Sequence, residues 1–125
     1  MIVSDAPCST EHLTAYQHRG CTVLAFHGEI DIAAAIAIRP HLTDLATSPT
    51  PSIVIDLTPT SFFDCSGVAL LCCARRRIRA RGGSLHLVCP HPLTLRILHV
   101  LGLDDLLHPV RTLEDALAGT WQGAM

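Results

Sequence analysis

Asp64-Cys65-Ser66-Gly67 set a carboxylate, a thiol, a hydroxyl and a bare backbone position side by side, where a loop gives way to a helix-patterned stretch. At a helix start the first N–H groups lack partners and the dipole is positive, so a phosphate or a thiolate is stabilised there. The same residues also serve a plainer end, with Asp64 or Ser66 capping the helix and Gly67 permitting close packing, and spacing alone favours that use. Other reactive side chains are less well arranged. His86, Cys89 and His91 could be taken for a metal cluster, but strand alternation puts His86 and Cys89 on opposite faces, and there is no Cys-x-x-Cys pair. Cys72 and Cys73 are adjacent on a helix, so they point about 100° apart and cannot readily pair or grip one metal. No glycine-rich phosphate loop, nucleophile elbow or Ser/His/Asp spacing is present. The expectation is a protein that is not an enzyme and carries no cofactor or metal.

The elements that must position Asp64 to Gly67 follow from periodicity. A strand over 12–17, a turn at His18-Arg19-Gly20 and a strand over Cys21 to Ile30 form a hairpin. Asp31 can cap a helix with Ala35, Ile38, Leu42 and Leu45 inward; Pro40 kinks it or delays its start. Thr47 to Pro51 reads as a loop, Ser52 to Leu57 as a strand buried on both faces, and Thr58 to Phe63 as a loop ending in two aromatics. A helix runs from the Asp64 turn to about Arg81, with Val68, Leu71, Cys72, Arg75 and Ile78 on one stripe, and Gly82-Gly83 stop it. Ser84 to Cys89 is a strand and Pro92 to Leu101 a helix with Leu93, Ile97, Val100 and Leu101 inward. Leu106 to Val110 is a short strand, and Thr112 opens a last helix. This alternation predicts an α/β fold, a mixed and mostly parallel sheet of four to five strands covered by about four helices. Function in such sheets gathers where strand ends meet helix starts, which is where Phe62 to Gly67 fall.

The 125 residues suit one domain with its own core. Hydrophobic residues at 49% and charged residues at 16% exclude disorder of the high-charge kind, and a net charge of -2 gives no pull toward nucleic acid or an anionic membrane. With no apolar run of membrane-spanning length and no secretory start, the expected location is the cytoplasm, where the six cysteines are reduced. All nine basic residues are Arg. Arg75, Arg76, Arg77, Arg79 and Arg81 spread around their helix and read as a solvated face, except that Arg75 buries its stem and sends its guanidinium to water or a carboxylate. Cys72 reads as core, Cys73 as half exposed and a secondary redox candidate. His27 and His99 are the histidines expected to touch a helix end or a partner.

From Val23 to Leu117 the pattern resembles a STAS domain, the module shared by sulphate transporters and bacterial anti-sigma factor antagonists. The resemblance rests on Gly28-Glu29-Ile30-Asp31, Ile53-Val54-Ile55-Asp56-Leu57, Phe63-Asp64-Cys65-Ser66-Gly67-Val68, Arg81-Gly82-Gly83, Leu101-Gly102-Leu103 and Leu113-Glu114-Asp115-Ala116-Leu117, in register. It implies a STAS-type single domain over 12–119, with loose ends at 1–11 and 120–125. The implied function is that of an anti-sigma factor antagonist. Such a protein binds an anti-sigma factor, usually an ATP-using serine kinase, and so frees a sigma factor for transcription. The partner-binding residues carried over are Glu29, Asp31, Phe62, Phe63, Asp64, Cys65, Ser66 and Gly67; one of Phe62 and Phe63 serves as the apolar anchor, and the other faces the core.

In the family the kinase phosphorylates the first Ser after the Asp, and phosphorylation ends the binding. Here that position is Cys65, and Ser66 matches the second. Three readings follow: binding without phosphorylation, redox control at Cys65, or phosphorylation of Ser66 in a shifted register. A thiol at a helix start favours the thiolate and its oxidation, and Asp64 beside it opposes this. Two other roles stay open: a STAS subunit of a lipid-transport ABC ATPase complex, and a thiol-based redox sensor.

Overall fold

The computed structural model describes residues 8–9, 12–45 and 52–124. The elements in chain order are β1 (Cys8–Ser9), β2 (Leu13–His18), β3 (Cys21–Phe26), β4 (Gly28–Ile30), α1 (Ile32–Leu45), β5 (Ser52–Asp56), β6 (Thr60–Phe63), α2 (Cys65–Ala80), β7 (Ser84–Val88), α3 (Pro92–Val100), α4 (Asp104–Leu107) and α5 (Leu113–Ala124). Five strands form one sheet in the order β1-β2-β3-β5-β7, and β4 and β6 form a separate two-stranded ribbon. β1, β2 and β3 are antiparallel neighbours, whereas β3-β5, β5-β7 and β4-β6 are parallel. The expected α/β class and mixed sheet therefore hold. Arg19 and Gly20 both take positive φ (52° and 80°), the two-residue hairpin geometry that matches strand twist, and they set the pairing of His18 with Cys21.

Alternation along the strands splits the core in two. Leu24, Phe26, Ile53, Ile55 and Leu87 point to the side covered by α1 and α2, where Ile38, Leu70, Leu71 and Ile78 pack. Val23, Val54 and Val88 point to the other side, against Ala116 and Leu117 of α5. Each buried aliphatic side chain of this size contributes about 1.5–3 kcal/mol relative to exposure, so both layers are needed to hold the sheet.

Several boundaries differ from the sequence expectation. Cys21 to Ile30 is two strands: the His27 N–H still donates to the His12 carbonyl (2.9 Å), continuing the β2–β3 register, and Gly28 then turns the chain out of the sheet with φ +73°. Thr58 to Phe63 is not simply a loop, since Thr60–Phe63 pair with β4. α1 starts directly after Asp31, and Pro40 lies inside it at an exposed position, so the helix is neither broken nor begun late there. The stripe of α3 is turned outward: Leu98 is its buried residue, while Leu93, Val100 and Leu101 are exposed and Ile97 is half-buried. Leu106 to Val110 is no strand. Asp104–Leu107 is a single helical turn, His108 follows in the left-handed region, and Pro109 has no N–H to donate, leaving a lone parallel bridge between Val110 and Val88. At the ends, Cys8–Ser9 add an edge strand within the expected loose segment 1–11, and α5 continues through the expected loose segment to Ala124. The 47–51 loop and the side chain of Leu45 lie outside the described residues.

Candidate functional site

The β4-β6 ribbon launches two helices side by side. Glu29 pairs with Phe62 and Ile30 with Phe63, and each strand is followed at once by an aspartate that caps a helix. Asp31 accepts the Ala34 N–H (3.0 Å) at the start of α1. Asp64, in extended backbone, accepts the Ser66 N–H (2.8 Å) and the Gly67 N–H (3.4 Å) at the start of α2. The Asp64 N–H donates to the Ile30 carbonyl (3.3 Å), tying one helix start to the other. Thr60, buried, anchors the ribbon to the main sheet through its hydroxyl and the Phe26 carbonyl (2.8 Å). All eight residues singled out from the sequence thus meet at one end of the molecule.

Their roles in the fold separate cleanly. Phe63 is buried, and its ring lies under Gly67, where an added Cβ would sit 2.7 Å from ring carbons. Gly67 is therefore a packing requirement, and Phe63 is the inward aromatic. Phe62 is the outward one, 53% exposed beside the cap. Cys65, Glu29 and Asp31 are exposed, and Ser66 and Asp64 are half-buried. Sequence reasoning missed Ile32 and Ile36, which leave 64% and 67% of their surface on the outer side of α1. Their spacing of four, offset from Ala34, Ala35, Ile38 and Leu42, was the available signal.

Cys73 stands farther along α2. A hydrogen bond from Arg77 holds its pKa below the usual thiol range against some desolvation, with Arg39 of α1 and Arg76 adding positive potential. Arg75 does reach across: its Nε donates to a backbone group, the Leu106 carbonyl (2.9 Å). His27 shares a hydrogen bond of 2.8 Å with the Thr14 hydroxyl, a strand contact instead of a helix end, while His99 pairs with Asp104 (2.7 Å) in the first turn of α4. His91 directs Nε2 at the Leu57 and Thr58 carbonyls (2.9 and 3.1 Å), and burial raises the pKa of Cys89 and lowers that of His86. Among the described residues no three His, Cys, Asp or Glu side chains are placed to hold a metal ion, and no helix is long and apolar enough to cross a membrane.

A mixed sheet thus feeds two capped helices from a side ribbon, with apolar and acidic side chains exposed around their starts. The chain belongs to the STAS domain family, whose pattern it matches over residues 12–116. It is 30% identical over 111 residues to the anti-sigma-F factor antagonist RsfB of Mycobacterium tuberculosis, covering 89% of this chain and 90% of that one. Its structure resembles an anti-sigma factor antagonist from Mycobacterium paratuberculosis with a TM-score of 0.78 and 27% identity, covering 95% and 97% of the two chains. The fold is also that of Bacillus SpoIIAA in its phosphorylated form, with a TM-score of 0.68 and 24% identity over 86% of this chain and 98% of that one.

Proposed function

We propose that this chain is an anti-sigma factor antagonist that works by binding alone: its ribbon end docks on an anti-sigma factor of the ATP-using kinase type and so releases a sigma factor. The observation that carries the reading is the exposed Phe62 ring beside the Asp64-capped start of α2, in a chain related to anti-sigma factor antagonists over most of its length. An exposed aromatic next to a rigid backbone corner suits a hot spot, because burying it on a partner costs little ordering. Glu29, Asp31 and Asp64 make the surrounding rim acidic, which fits a basic partner surface and steers the encounter.

The switch residue of the family is replaced. A phosphate would add about -1.5 to -2 charge to this rim and turn a complementary interface repulsive. A thiol at position 65 is not a Ser/Thr kinase acceptor. A shift of the phosphate to Ser66 is disfavoured because Asp64 already takes the Ser66 and Gly67 N–H groups that would steady it. Binding is therefore insensitive to ATP.

The test is displacement of the sigma factor from a purified sigma–anti-sigma complex, with and without ATP. The wild-type chain should release sigma equally in both, and Cys65→Ser should lose this activity when ATP is present, with the phosphate found on residue 65 by mass spectrometry. Failure to release sigma in either condition would sink the reading, and a phosphate on wild-type Ser66 would sink its regulatory half. A loss of release after mild peroxide that Cys65→Ser abolishes would move control to the thiol.

A further inference from the structure

The arginines of α2 do not all read as a solvated face. Arg75, Arg76 and Arg79, with Cys72, are spaced three and four residues apart and share one flank of the helix. That flank is one wall of a groove of about 340 Å³, and Leu106 and Leu107 of α4 line the other side. Leu107 is buried and Cys72 half-buried, so the base of the groove is apolar. The Arg75 Nε donates to the Leu106 carbonyl (2.9 Å), which fixes this guanidinium across the groove. Among the described residues none of the three arginines has a carboxylate within salt-bridge distance. Asp104 is taken by His99 (2.7 Å), and neither Asp105 nor Arg96 lines the groove.

Three cations on one wall repel each other, and an anion bound between them offsets that repulsion. A guanidinium fork matches the oxygens of a carboxylate or a phosphate, and a phosphate monoester, with about -1.5 to -2 charge at neutral pH, answers three arginines better than a single carboxylate does. The volume lies at the small end of ligand sites, which run from about 300 to 1,000 Å³, and suits a head with a short chain. An inorganic anion would leave the surface of Leu106, Leu107 and Cys72 wet. A nucleic acid would need the basic surface to continue past the groove, where α4 instead offers Asp104 and Asp105.

We propose that the groove between α2 and α4 binds a free amphiphilic phosphate monoester, with the head held by Arg75, Arg76 and Arg79 and an alkyl chain laid over Cys72, Leu106 and Leu107. None of these residues belongs to the ribbon end, so the site stands or falls independently of the proposed antagonist function.

Calorimetric titration of the full chain in reductant tests it, with octyl phosphate below its micelle concentration as the probe and inorganic phosphate, octyl glucoside and phosphatidylglycerol vesicles as comparisons. Octyl phosphate should bind saturably at one site and inorganic phosphate at least about tenfold more weakly, because it lacks the chain; octyl glucoside and the vesicles should not bind. Arg76→Gln with Arg79→Gln, both at exposed positions, should keep the melting curve and raise the octyl phosphate dissociation constant by about tenfold or more. Phe62→Arg should leave it unchanged. Bound octyl phosphate should also shield Cys72 from iodoacetamide, read by site-resolved mass spectrometry, while Cys65 reacts at its free rate. No saturable binding, equal binding of octyl glucoside, binding to vesicles alone, affinity indifferent to the arginine substitutions or an unshielded Cys72 would each overturn the proposal.

Discussion

Phe62 and Phe63 are neighbours of one type with opposite uses, and strand alternation decides between them. Phe63 fills the space under Gly67, so Gly67→Ala forces the ring or the helix start to move. A loss of about 1–3 kcal/mol in urea unfolding is expected, the usual cost of overpacking. Phe62→Ala removes no buried contact of this size, so its stability should stay within about 0.5 kcal/mol of wild type. Its affinity for the anti-sigma factor should nevertheless fall by about tenfold or more, as measured by calorimetry on the same samples. At this scale the sequence was informative: the pair of aromatics, the cap and the glycine were all visible, and only the direction of each ring was not. Local pattern cannot give that direction, because it depends on which strand pairs with β6. Cys65 differs in that the role proposed for it rests on its resemblance to a family phosphoacceptor position, not on its surroundings.

Among the elements, the sheet strands and α2 were legible because their burial follows their own periodicity. The ribbon was not, since β4 and β6 are three- and four-residue strands whose partners are about thirty residues away. Its anchor is testable: Thr60→Val keeps the volume but deletes the hydroxyl that donates to the Phe26 carbonyl, and a loss of about 1 kcal/mol or somewhat more in urea unfolding is expected. The α3–α4 corner misled the sequence reading because a heptad stripe marks a face to be buried without saying by what. Its His99–Asp104 pair gives a pH signature of defined sign. The hydrogen bond to Asp104 raises the His99 pKa, so the contact contributes fully below the unfolded histidine value and is lost as pH rises through the raised one. The same bond lowers the Asp104 pKa, so its share is present above the unfolded carboxylate value and is lost as pH falls through the lowered one. The pair is thus intact between those two limits. In an NMR titration the His99 ring should have a higher midpoint than in the Asp104→Asn variant; equal midpoints would contradict the pairing.

For the whole molecule, two packed layers make the sheet rigid, and that rigidity presents the two helix starts as a fixed corner. On the proposed function, binding at such a corner needs little reorganisation of this chain, and control of that binding can be changed through one exposed residue without disturbing the core. The spacing of the motifs conveyed this arrangement; Ile32 and Ile36, whose offset spacing was also present in the sequence, enlarge the apolar surface on the outer side of α1 beyond the motif itself. The most direct test is calorimetric titration of the purified chain into an anti-sigma factor kinase of its own genome, in reductant, beside Phe62→Arg and Asp64→Arg. Saturable one-to-one binding by wild type, abolished in both variants while their circular dichroism spectra remain folded, is the expected result. Wild-type binding that survives both substitutions would contradict docking through the ribbon end, and no binding to any such kinase would contradict the antagonist function itself.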